Sequence, residues 1–254
     1  MSDRLRLGMF GVALAGLLGL LVWGFAGLPD FGDYQGPYGF ILDKVAVPER
    51  STTDVVTAVN FDYRGLDTIG EEYILFVSAA GVALLLRRQR REAQRAARDE
   101  AAGRRVPPTT DAVRLLCLLL VAPTSVLGLY VVAHGQLTPG GGFQGGVVLA
   151  TALLLVYLAG RYPAMEHLGS PAVIEIGEAV GAGGFVLVGL GALLAGGAFL
   201  ENLLPRGISA TLTAGGTVAV ISACIGLEVA AGVLLIAHEF LLQTLRIRGG
   251  GRMR

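Results

Sequence analysis

The sequence predicts an all-α membrane protein of about six transmembrane helices, with both termini cytoplasmic and an ordered external loop between the first two helices. Three observations carry this. Of 254 residues, 53% are hydrophobic and 16% charged, too little charge to clothe a soluble domain. Six apolar stretches, at roughly 7–28, 69–86, 113–134, 142–160, 172–199 and 209–241, are long enough to cross the bilayer. A crossing of about 30 Å of hydrocarbon takes about 20 helical residues. The basic residues then fall on alternate sides of these stretches: sixteen share the side of Arg4 and Arg6, and only Lys44, Arg50, Arg64 and Arg206 face the other. Because basic loops stay in the cytoplasm, this asymmetry places both ends there.

The first span follows Arg4 and Arg6 and ends near Gly24-Phe25-Ala26, as a cleavable signal peptide also would. Its apolar stretch is longer than a signal core, which favours a retained span. Residues 29–64 then form the polar external loop, punctuated by Pro29, Pro37 and Pro48. Within it, 53–61 fits either a β-rich segment or a short amphipathic helix, and so short a stretch does not choose between them. After the second span, the basic run 87–105 has high helix propensity and no apolar face. It reads as a solvated cytoplasmic helix or linker touching anionic membrane lipid, in preference to a nucleic-acid contact. This run divides the chain into a two-span module (1–90), a linker (91–110) and a four-span module (111–254), as a fusion of two smaller subunits would be organised. Cys117 and Cys224 each lie within a span and read as buried thiols, not as a disulfide or a metal site.

The sharpest local feature joins the third and fourth spans. Pro139 is followed by Gly140, Gly141, Gly142, Gly145 and Gly146. Glycine is a poor helix former that permits positive φ and close approach, so the whole run is expected to be irregular backbone. Irregular backbone at membrane depth must be covered by protein or water. The run is therefore either a pore-lining or partner-packing break, or a tight hairpin with close helix contact. Glycines also recur in the fifth span, at 177, 181, 184, 189 and 191, the small-residue pattern of close helix packing, expected here in an oligomer or complex.

Ionisable side chains within spans are costly and mark function by default. The candidates are Asp67, Glu71 and Glu72 at the outer end of the second span, with Thr68 among them, and His134 at the outer end of the third. Glu175 and Glu178 share one face of the fifth span near its cytoplasmic end, and His238 and Glu239 lie at similar depth on the sixth. Glu228 alone falls near the midplane and is the best candidate for exchanging a proton or cation. These residues sketch a relay from Glu71 or Glu72 and His134 outside, through Glu228, to Glu178 and His238 inside. Ten residues separate Glu228 from His238, about 15 Å of helix, too far for direct proton transfer. The plainer alternative for Glu72, Glu175 and Glu239 is that they snorkel to the interface. Pro123 is expected to kink the third span. No phosphate loop, zinc site or activated nucleophile is present, so neither a cofactor nor an enzymatic activity of the chain's own is expected.

The stretch GLYVVAHGQLTPGGGFQGGVVL, Gly128 to Leu149, closely resembles the signature of the B subunit (MnhB) of Mrp-type multisubunit Na+/H+ antiporters, a resemblance covering about 111–245. Thr53-Asp54-Val55-Val56-Thr57 with Asp62 to Glu71 resembles a motif near the C-terminus of the antiporter A subunit, with Tyr63 and Leu66 where that pattern has Phe. In related membrane-bound hydrogenases the matching piece is a separate small subunit. The resemblance implies a cell-membrane (inner-membrane) subunit that contributes to a sodium path but is inactive alone, with A-, C-, D-, E-, F- and G-type subunits as partners and any bound metal limited to transient Na+. It puts Asp67, Thr68 and Glu71 on a motif bordering that path. Two other readings stay open: a membrane subunit of a hydrogenase-like redox complex, and a structural subunit with no ion contact.

Overall fold

A computed structural model describes residues 3–28, 30, 32, 33, 36–86 and 109–249, and among these the chain is helical with no strand. The basic linker expected at 91–110 lies outside the described residues except for Thr109 and Thr110. Two compact units divide the chain, residues 1–41 and 42–254. The first unit holds α1 (Asp3–Ala26), apolar on every face from Leu7 onward, and the opening turn of α2 (Pro37–Arg50).

The second unit continues α2 and adds α3 (Val55–Ala58), a π-helix (Val59–Tyr63), α4 (Gly65–Leu85), α5 (Asp111–Ala133), α6 (Gly142–Leu168), α7 (Pro171–Leu194) and α8 (Thr217–Gly249). With α1, the helices α4 to α8 make six that are long and apolar enough to cross a membrane. The expected external loop is thus largely helical. Pro37 opens α2, where its missing N–H costs nothing. Pro48, read above as punctuation, occupies the last turn, where little helix remains to be broken. The ambiguous 53–61 segment resolves as helix because Asp54 caps it, accepting from Val56 N at 3.2 Å and from the Thr57 hydroxyl at 2.7 Å.

Helix α8 is the hub, packing against α4, α5, α6 and α7, while α5 pairs with α6 and α4 also touches α7. Its Val218, Ile221, Ile225 and Val229 join Phe61, Phe185 and Leu200 in one core cluster. Its Ala231, Leu234 and Leu235 join Ala79, Ala150 and Ile174 in a second. The sixth span starts at Thr217 and not near 209, because Gly215 (φ +78°) and Gly216 (φ +60°) turn the chain just before it. The fifth ends at Leu194, short of 199, where Gly196 takes φ +86°.

The expectation that the entire glycine run is irregular is corrected. Only Gly140 (φ +143°) and Gly141 (φ +128°) leave helical geometry, and α6 begins at Gly142. Packing overrides the weak helix propensity of Gly142, Gly145 and Gly146. A Cβ on Gly142 would stand 2.7 Å from Ile225 Cβ and 2.9 Å from Gly226 N, and one on Gly146 would stand 2.8 Å from both Gly226 O and Val229 Cβ. On Gly145 it would lie 2.8 Å from Gly128 O in α5. These glycines therefore let α6 press directly on α8 and α5. The α7 glycines likewise do their close packing within the chain: a Cβ on Gly181 would meet Glu228 N at 2.6 Å and Cys224 O at 2.7 Å.

Candidate functional site: buried carboxylates among three helices

Helices α4, α7 and α8 each carry a carboxylate into the protein interior. Glu72 on α4 is 3% exposed, Glu178 on α7 is 5% and Glu228 on α8 is 0%, so within this chain none of them snorkels. Glu72 and Glu228 line one cleft together with Ile69, Tyr73, Ala182 and Phe185. The two carboxylates are near enough for their charges to interact, and Glu228 is coupled in the same way to Glu178. Glu178 Oε1 lies 3.5 Å from where a Cβ on Gly232 would be, beside Leu75 of α4. Since Gly232 is one turn beyond Glu228 on the same face of α8, Glu178 lies the next turn along from that carboxylate. Neither oxygen of Glu228 has a hydrogen-bond donor among the described residues, and the same holds for Glu72 Oε2 and Glu178 Oε1. Buried polar atoms left without partners are rare and call for an explanation.

The other sequence candidates are not brought to this cleft. His134 is half-buried, stacks on Tyr130 with ring centroids 3.9 Å apart, and has Nδ1 at 3.0 Å from the Tyr130 carbonyl. Asp67 is exposed and paired with Arg64, Glu71 is exposed, and the Thr68 hydroxyl donates to the Asn60 carbonyl at 2.7 Å. Thr68 thereby ties α4 back to the π-helix. His238 is buried, 1% exposed, ten residues along α8 from Glu228. Pro139 lies in the turn before Gly140.

Sequence reasoning missed the polar residues that hold this arrangement at one end. Asp62, its side chain 3% exposed, pairs with Arg50 at 3.2 Å and accepts from Asn202 Nδ2 at 3.0 Å. Asn202 also donates to Gly215 O at 2.8 Å and accepts from Thr217 N at 2.9 Å, satisfying the first turn of α8. The Arg50 guanidinium lies 4.4 Å from the Tyr63 ring centroid, and the Tyr63 hydroxyl donates to Glu49 at 2.5 Å. Burial, with the Glu49 carboxylate beside it, pushes the Tyr63 hydroxyl above its ordinary range. Gln136, fully buried, donates through Nε2 to Ala133 O and Leu212 O, and its backbone carbonyl accepts from Thr53 N at 3.1 Å. The only signal for Asn202 and Gln136 was an isolated amide beside a helix break.

Fold and site together define a multi-pass membrane protein that buries acidic side chains between its spans. A domain described as related to the MnhB subunit of Na+/H+ antiporters matches residues 112–235. Against a solved chain of the membrane-bound sulfane sulfur reductase, an archaeal respiratory membrane complex, identity is 31% and the TM-score 0.70, over 94% of this chain and 99% of that one. The chain belongs to this family of MnhB-related membrane subunits. It is also 29% identical over 176 residues to an uncharacterized protein of Methanocaldococcus jannaschii, a match covering 63% of this chain and 64% of the relative's length. A chain of the Mrp complex from a Dietzia species shares the fold, with TM-score 0.65 and 24% identity over all of this chain and 27% of that longer one.

Proposed function

We propose that this protein is a membrane subunit of a multisubunit cation/proton antiporter complex, lending buried carboxylates to an ion path and inactive without its partners. One observation carries the reading: Glu72, Glu228 and Glu178, on three different helices, are buried side by side with oxygens lacking donors among the described residues. Such groups are costly in a membrane and are kept where ions or protons move. Exposed Asp67 and Glu71 on α4 would continue the path into a neighbouring subunit, and buried His238 would serve its cytoplasmic end. His134, half-buried and away from the cleft, would play the smallest part. The reading takes the protein to lie in the cell membrane with cytoplasmic termini, and takes its two modules as a fusion of smaller subunits. The test is Na+/H+ exchange in vesicles containing the whole complex. Glu228→Gln should abolish exchange while the complex still assembles; unchanged exchange would remove Glu228 from the path.

A second reading, a subunit of a redox-driven complex, is supported by the 31% identity across nearly the whole sulfane sulfur reductase chain. Purification through a tag on this chain separates the two. Co-purifying iron–sulfur subunits favour the redox complex, and antiporter subunits alone favour the first reading.

A further inference from the structure

We infer that Glu72 and Glu228 form a proton-holding pair, one proton shared between two carboxyl groups, and that the ion taken up in this cleft is a proton and not a dehydrated metal cation. The inference rests on the ion-path reading for its transport meaning but stands on the geometry of the cleft.

The first argument is the charge around the pair. Among the described residues the charges recorded against the pair are Glu71 from α4 and Glu178 from α7, with Glu175 beside Glu178 and the Cys224 thiol one turn before Glu228 on α8. All are acidic or neutral, and among the described residues no Lys, Arg or His lines the cleft. Two buried carboxylates facing each other cannot both keep their charge without a compensating cation, because each loses its water and repels the other. A single proton between them relieves both penalties, since the protonated group becomes the donor that its neighbour lacks. Glu228 has no other donor: both of its oxygens are buried and unpartnered among the described residues.

The second argument is the donor set. A metal cation stripped of water needs its shell rebuilt from about six oxygens for a hard ion. Of the residues lining the cleft only Glu72, Glu228 and Tyr73 carry a side-chain oxygen at all, while Ile69, Ala182 and Phe185 offer none. The flanking backbone carbonyls belong to helices α4, α7 and α8 and are spent on their own hydrogen bonds. Close contact at Gly181, where a Cβ would stand 2.7 Å from Glu228 Cβ, keeps α7 against this stretch of α8 and leaves no gap there for a hydrated ion. A proton needs only the two oxygens that are present.

The experiment is infrared spectroscopy of the purified whole complex, wild type and the variants Glu72→Gln and Glu228→Gln, with NaCl or choline chloride titrated at fixed pH. The expected result is a protonated-carboxyl band that shifts in D2O, is lost in either variant, and is unchanged by Na+. Should the variants fail to assemble, carbodiimide labelling of the wild-type complex, which requires a protonated carboxyl, locates the proton by mass spectrometry at Glu72 or Glu228. A band or label that Na+ abolishes and choline does not makes the cleft a cation site and overturns the inference. So does the absence of any such band or label at both residues. The two proposals fail separately. Loss of exchange in Glu228→Gln with a Na+-sensitive band keeps the ion path and sinks the proton pair, and unchanged exchange with a Na+-insensitive band does the reverse.

Discussion

Asp62 shows how much of this molecule hangs on single polar contacts. It ties Arg50 to Asn202, and Asn202 in turn holds Gly215 and the first turn of α8. Asp62→Ala strands both partners, and since hydrogen bonds to charged groups are worth roughly 1.5–3 kcal/mol, a loss of about 2 kcal/mol is expected. Thermal unfolding of the purified complex measures it, and Asn202→Ala in the same background should add less than its separate effect, because the two share one contact. His134 belongs at the other extreme. It stacks on Tyr130 away from the carboxylates, so His134→Ala should leave Na+/H+ exchange near wild type where Glu228→Gln abolishes it. An exchange defect in His134→Ala as deep as that of Glu228→Gln would bring His134 back into the path. The acidic candidates were readable from the sequence because a charge in an apolar run stands out. Asn202 and Gln136 were not, because an uncharged amide near a span end has no such contrast.

At the scale of elements, glycines decide which helices touch. Gly142 and Gly146 let α6 lie on α8, where added methyl groups would press on Ile225, Gly226 and Val229. Forcing a methyl into a packed contact costs about 1–3 kcal/mol, so Gly142→Ala should lower the yield and unfolding temperature of the assembled protein. Gly183 on α7 has nothing within 4 Å of its would-be Cβ, and Gly183→Ala should change neither. Equal effects of the two substitutions would mean that α6 and α8 do not meet through Gly142. The glycine run was visible in the sequence as a feature but was read as a longer break than it is. Propensity counts each glycine against a helix, whereas the neighbouring helix rewards three of them for being small.

For the whole molecule, the charge asymmetry predicts sidedness. With Cys117 and Cys224 replaced by Ala, a membrane-impermeant maleimide added to intact cells should label Ser209→Cys and not Gln94→Cys, and inverted vesicles should reverse the pattern. Labelling of both from one side would overturn the topology. The purified chain reconstituted alone should show no exchange, and robust exchange by it would remove the need for partners. The spans were legible in advance because crossing hydrocarbon demands length and apolarity, which are properties of a stretch of sequence and need no neighbours. The helices hidden between the first two spans were less so, since α2 runs through Pro48 and α3 depends on the Asp54 cap. The meeting of Glu72 with Glu228 was not legible at all: 156 residues separate them, and depth within a span says nothing about which face turns inward. That was decided by α4 and α7 closing on α8, a matter of packing among three helices and the small residues between them.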